Sequence, residues 1–181
     1  MNVSRRALIL IDLQNDYFEG GRFPLWNAAE TLVNVERAIE LAKAQDVPVI
    51  LVQHVASGSN GAAPFFNEGT DGAEIHPRIR TALPTAPVIV KEHADAFFLT
   101  KLEDLLQRMR VDELLLCGMM TQNCVTHTAI SKSAEKYNVT ILSDCCTTVS
   151  EILHKIALRA VSTRVTLGQA DSVLREETQE A

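Results

Sequence analysis

Basic runs, long apolar runs and paired cysteine motifs are all missing from this chain of 181 residues. Seventeen Lys and Arg face 23 Asp and Glu, a net charge of −6. An acidic chain without a cluster of cations suits neither a nucleic-acid backbone nor an anionic membrane surface. No apolar run approaches the ~20 residues that cross a bilayer. The start, Met1-Asn2-Val3-Ser4-Arg5-Arg6, passes straight into a strand-like run that ends in an acid, which is not the pattern of a signal peptide. A cytoplasmic protein with no nucleic-acid or membrane partner is expected. Cysteine is scarce, at 117, 124, 145 and 146 only. Cys145 and Cys146 are adjacent and ill suited to an ordinary disulfide. No C-x-x-C or H-x-x-x-H spacing points to zinc. Reduced thiols are expected, three of them as small buried hydrophobes. Apolar residues make up 46% and charged residues 22%, the ordinary globular range, which excludes a disordered or fibrous chain. At ~150 residues per domain, residues 1–181 read as one domain.

What is present is a rhythm. Short runs rich in Leu, Ile and Val lie at Ala7 to Ile11, Val49 to Gln53, Val88 to Val90, Leu114 to Cys117, Val139 to Leu142 and, more weakly, Val165 to Leu167. They are nearly continuous, not alternating, as in strands buried on both faces of a parallel sheet. Amphipathic stretches separate them. Leu32, Val35, Ile39 and Ala42 keep helical spacing, and Thr100-x-x-Glu103 reads as a capping box before Leu102, Leu105, Leu106 and Met109. Val125, Ala129, Ile130, Ala134 and Tyr137 predict a third helix, and Ile152, Leu153, Ile156, Ala157 and Ala160 a fourth core-facing one. Strand and helix taking turns predicts an α/β fold: a doubly wound, Rossmann-like parallel sheet of about six strands with helices on both faces. From Val55 to Pro87 the rhythm stops. A connection of that length is usually functional and is expected to form a lid. Its adjacent Phe65 and Phe66 are expected to pack on something, including the surface of a second copy.

Ligands of open α/β sheets bind at the carboxyl ends of the strands, so the residues at those ends are the candidates. The first strand ends at Asp12, the second at Gln53 and His54, and the third at Lys91. The fourth runs into Gly118-Met119-Met120-Thr121-Gln122-Asn123-Cys124, where a helix is expected to start. A cysteine at a helix N-terminus beside a lysine is biased towards thiolate. Backbone N–H groups there can hold an oxyanion, and a carboxylate can carry the thiol proton to a leaving amine. Asp12, Lys91 and Cys124 together predict an acyl-transfer site. A pairing of Cys124 with His127, about one helical turn on, is the second mechanism considered. His76 and His93 invite the same question, while His154 and the Cys145-Cys146 pair read as structural.

At these residues the chain resembles the isochorismatase-like cysteine hydrolases. The resemblance is carried by Asp12-Leu13-Gln14-Asn15-Asp16-Tyr17, by Lys91 after an apolar strand, and by Cys117-Gly118-Met119-Met120-Thr121-Gln122-Asn123-Cys124-Val125-Thr126-His127-Thr128-Ala129. Gly69-Thr70-x-Gly72-Ala73-Glu74-Ile75-His76-Pro77, Ala96-Phe97 and Thr100-x-Leu102 add to it, and it spans about residues 6–168. It implies Asp12 as general base, Lys91 as the cation of the triad and Cys124 as nucleophile. Backbone N–H groups of Met120 and Cys124 would form the oxyanion hole. Tyr17 would line the substrate pocket, with Gln53 and Phe97 as further substrate-binding candidates. A cis peptide at Met119–Met120 and a homodimer or homotetramer are also implied. Nicotinamidase-type members carry an Asp-x-His metal motif after the second strand. Here that region reads Val52-Gln53-His54-Val55-Ala56-Ser57-Gly58, so no metal and no cofactor are expected, and His54 reads as a hydrogen-bonding wall residue. A retained thiol favours cleavage of a C–N bond in a small amide, ureido or carbamoyl substrate. Vinyl-ether hydrolysis, or binding of a small molecule without catalysis, are the alternatives.

Overall fold

The computed structural model describes residues 5–58 and 61–175. Six strands, β1 Arg6–Ile11, β2 Val49–His54, β3 Val88–Lys91, β4 Glu113–Met119, β5 Asn138–Thr147 and β6 Thr166–Gly168, form one sheet in the order β3-β2-β1-β4-β5-β6. Every pairing is parallel. Helices α1 Ala28–Ala44, α2 Pro77–Ala82, α3 Leu102–Arg108, α4 Thr126–Ala129, α5 Glu151–Val161 and α6 Ala170–Val173 flank it. The predicted fold class is the one observed. The strand order turns outward from β1 and β4, and the crevice at such a switch point is where these sheets take ligands.

The apolar runs explain the centre. Ala7 to Ile11 and Leu114 to Cys117 are each at most 1% exposed, and burying a Leu or Ile side chain contributes about 1.5–3 kcal/mol. On α1 the predicted stripe of Leu32, Val35, Ile39 and Ala42 is buried, joined by Ala28, Thr31 and Ala38. Gly118 lets β4 press against β1: its φ is +122°, and a Cβ there would collide with the Ile11 carbonyl oxygen. That contact sets the end of β4 beside the end of β1.

Four local expectations are corrected. First, β5 continues past Leu142 to Thr147: its register with β4 shifts between Leu116 and Gly118, and the extra residues of β5 at that shift include Asp144. That carboxylate accepts from the Ala170 N–H at the start of α6 (3.0 Å). Second, no single helix runs from Val125 to Tyr137. A turn of π-helix over Thr121–Val125 leads into α4, and a 3-10 turn follows over Lys132–Lys136. Ser131 makes the break by accepting from the Ser133 N–H and donating to Asp95 (2.7 Å). Third, Thr100 accepts from Leu102 N–H, but Glu103 reaches Gln107 and Lys136, so the capping box is not closed. Fourth, α5 buries Ala157, Leu158 and Val161 and leaves Ile152 and Ile156 outward.

The stretch after β2 is packed onto the chain. Phe66 is fully buried, its N–H donates to the Asp16 carboxylate (2.7 Å), and its ring meets those of Tyr17 and Phe65 at centroid distances of 4.5 and 5.0 Å, with Phe23 packed in turn on Tyr17 and Phe65. The aromatic pair therefore finds a partner surface inside the same chain, with Phe66 buried and Phe65 half-buried.

Candidate active site

Four strand ends meet at one buried point. Asp12 leaves β1 in the left-handed region, φ +52°, a conformation that non-glycine residues hold mainly where surrounding structure dictates it. Its carboxylate Oδ2 accepts from Lys91 Nζ at 2.7 Å, with both side chains wholly excluded from solvent. Lys91 Nζ lies 3.2 Å from Cys124 Sγ and 3.0 Å from His54 Nδ1. An ammonium has three donors and no acceptor, and each donor here has its own acceptor. The second carboxylate oxygen, Asp12 Oδ1, is buried without a hydrogen-bond partner, which leaves it free to receive a proton.

Burial pulls the Lys91 pKa down, but the charges of Asp12 and Cys124 and its hydrogen bonds to them hold it above the ordinary lysine value. These partners favour the charged ammonium. Cys124 behaves differently from the sequence expectation. Burial first, and the Asp12 charge second, push its pKa up against the opposing pull of Lys91, which favours the thiol over the thiolate. The expected helix dipole is also weak, because Cys124 lies in a single π turn followed by the four residues of α4.

Met119–Met120 is a cis peptide, as the resemblance implies. Met120 caps the π turn, and its carbonyl accepts from the N–H groups of Asn123 and Val125. Side chains from the far side hold this turn. Thr121 Oγ1 is 2.9 Å from His154 Nδ1, and Thr148 donates to Gln122 (2.5 Å). Cys117, Cys145 and Cys146 are buried and free, with burial raising their pKa values.

Of the substrate-lining candidates, Tyr17 is buried close enough to Asp12 and Cys124 for their charges, after burial itself, to raise its phenol pKa. Gln53 donates Nε2 to the Ala73 carbonyl (2.9 Å). Phe97 stacks on Tyr137, with centroids 6.2 Å apart and planes at 17°, and no hydrogen bond or ring contact joins it to the triad. His127 is exposed and its Nδ1 is 2.8 Å from the Asn123 carbonyl, so the alternative Cys–His pair is not formed. His54 stands much closer to the chemistry than a wall residue. A lone histidine at a strand end carries no pattern that announces this.

Among the described residues, Asp12, His54 and Cys124 bring three metal-type donor atoms within 4.8 Å of one another. They do not fit a divalent ion, because the Lys91 ammonium already stands hydrogen-bonded to all three. The cluster has a covalently tethered cation of its own.

Residues 6–170 match the Isochorismatase domain. The chain belongs to the isochorismatase family. The uncharacterized isochorismatase family protein YddQ of Bacillus subtilis is 38% identical over 151 residues, covering 83% of this chain and 82% of its own. N-carbamoylsarcosine amidase of an Arthrobacter species is 33% identical over 140 residues, covering 69% and 53%. Among solved structures, an isochorismatase family protein from Desulfovibrio vulgaris superposes with a TM-score of 0.83 at 25% identity, covering 94% of this chain and 96% of that one. The six-stranded parallel sheet is thus the family's fold, and the protein is an isochorismatase-family hydrolase.

Proposed function

We propose that this isochorismatase-family hydrolase cleaves the C–N bond of a small amide, ureido or carbamoyl compound, with Cys124 as nucleophile and without a metal. The observation that carries this reading is one ammonium, Lys91 Nζ, hydrogen-bonded at once to a buried carboxylate and a buried thiol. The similarity to an enzyme named N-carbamoylsarcosine amidase supports the same bond type.

The chemistry follows from the protonation states. Cys124 rests as a thiol, so attack on the carbonyl carbon requires a base, and Asp12 Oδ1 is the unpartnered acceptor within the cluster. As the C–S bond forms, the thiol proton passes to Asp12 and the carbonyl oxygen takes up the negative charge. The Met120 and Cys124 N–H groups are the donors assigned to that oxygen. Collapse breaks the C–N bond, the amine leaves with the proton from Asp12, and a thioester remains on Cys124. Water then attacks, Asp12 takes its proton, and the acid and the free thiol are released. Lys91 stays charged throughout and stabilises each anionic form of its neighbours. Tyr17, whose phenol stays neutral, and Gln53 are assigned to the substrate wall.

A panel of primary amides, ureido acids and isochorismate, read by ammonia release and product mass, tests the reading. Ammonia release from an amide or ureido compound is the expected result. Turnover of isochorismate alone would replace C–N cleavage by vinyl-ether hydrolysis.

A further inference from the structure

We propose that His54 is a positioning residue of this site: its neutral imidazole supplies, at Nδ1, the third acceptor that fixes the Lys91 ammonium between Asp12 and Cys124. The catalytic consequence rests on the proposed function; the contact itself does not. The geometry is closed on both sides. Lys91 Nζ has three acceptors at 2.7, 3.2 and 3.0 Å, one for each N–H. His54 in turn is held by its backbone, whose N–H donates to Gln14 Oε1 and whose carbonyl accepts from Gln14 Nε2, both at 2.8 Å. Gln14 is fully buried and its Nε2 also donates to the Ala73 carbonyl at 2.7 Å. The backbone that carries the ring is thus anchored by the first strand's exit and, through Gln14, by the segment that covers the site.

An ammonium can only donate, so the contact requires a lone pair on His54 Nδ1 and the proton on Nε2. A protonated ring has no acceptor and would set a second positive charge against Lys91. The titratable groups that face His54 are Lys91 and His93, which disfavour its protonation, and Asp12 and Glu92, which favour it. Cys124 completes the surroundings. Burial is the largest influence and, with Lys91, holds the ring below the ordinary histidine value, so the acceptor form prevails at neutral pH. Below that titration the ammonium loses one of its three anchors, and transition-state stabilisation falls while substrate contacts remain.

Nitrogen-15 NMR of histidine-labelled protein reads the contact without any substrate, with His54→Asn assigning the signal. The expected result is an Nε2–H tautomer with a hydrogen-bonded Nδ1, and a titration midpoint that rises by half a pH unit or more in Lys91→Met. A proton on Nδ1 at neutral pH, or a midpoint indifferent to a folded Lys91→Met, would overturn the proposal. Kinetics supply the second arm. His54→Ala should lose at least tenfold in kcat with KM within threefold. His54→Asn, whose carboxamide oxygen accepts without titrating, should recover most of kcat and shift the acid limb of the pH profile downward. Wild-type kcat and an unchanged profile in both variants would contradict it. An intact His54–Lys91 signature in a protein without amidase activity would sink the proposed function alone.

Discussion

The pairing of Asp12 with Lys91 decides most of what Cys124 can do. Both side chains are shut off from water, and removing one partner of such a pair strands the other charge at a cost of about 3–5 kcal/mol. Asp12→Asn keeps the shape but removes both the counter-charge and the proton acceptor. Its kcat should fall nearly as far as that of a Cys124 variant, since residues that act as one unit are not additive, and its denaturation midpoint should drop as well. Near wild-type turnover in Asp12→Asn would place the base elsewhere. The identities of these residues are legible in the sequence, because each follows an apolar run and such runs end at the crevice. The upward pull of burial on the Cys124 thiol is not. A cysteine near a helix start beside a lysine reads as a thiolate, whereas its burial depends on a covering segment that carries no period. The bond between His54 and Lys91 is hidden for a related reason, as it joins the ends of two strands 37 residues apart.

At the scale of elements, legibility follows how much of a pattern is set by packing alone. Strands β1, β2 and β4 are buried on both faces, and their apolar runs mark them almost residue by residue. The second half of β5 is invisible because Asp144 serves α6 instead of the sheet face. The segment after Cys124 has helical spacing yet breaks at Ser131, where a side chain offers the backbone a competing hydrogen bond. The approach of β4 to β1 rests on Gly118. Gly118→Ala would place a methyl group against the Ile11 carbonyl in a backbone region that alanine avoids. It should cost about 2 kcal/mol or more and shift Asp12 relative to Cys124. The check is a denaturant melt alongside kcat, and unchanged values for both would show that the contact positions nothing.

For the molecule as a whole, the histidines set the response to acid. His54, His76 and His154 all have folded pKa values lowered from 6.5, each chiefly by burial. The unfolded chain takes up these protons near pH 6.5, whereas the folded chain resists until lower pH. Stability is therefore fully held above pH 6.5 and is lost as pH falls through the window below it. The urea midpoint should decline between pH 7.5 and 5.5; a flat or rising midpoint would contradict the assignment. Self-association is a second property at this scale. Phe66 is buried within the chain and Phe65 is half-buried, and we propose that the exposed face of α5 serves as the contact with a second copy. Ile152 and Ile156 are 73% and 59% exposed, four residues apart, and Trp26 lies against His154 beside them. Light scattering at micromolar concentration should give a dimer or tetramer, and Ile152→Glu with Ile156→Glu should dissociate it. A monomeric wild-type chain would exclude this surface as an interface.

The central claim, nucleophilic catalysis by Cys124, has a direct test. The protein is mixed with an amide or ureido substrate that it turns over, quenched in acid within the first turnovers, and examined by intact and peptide mass spectrometry. The account predicts an added acyl mass on the peptide carrying Cys124, absent from Cys124→Ala, together with loss of turnover in that variant. Sustained turnover by Cys124→Ala, with no adduct on the wild-type peptide, would contradict it.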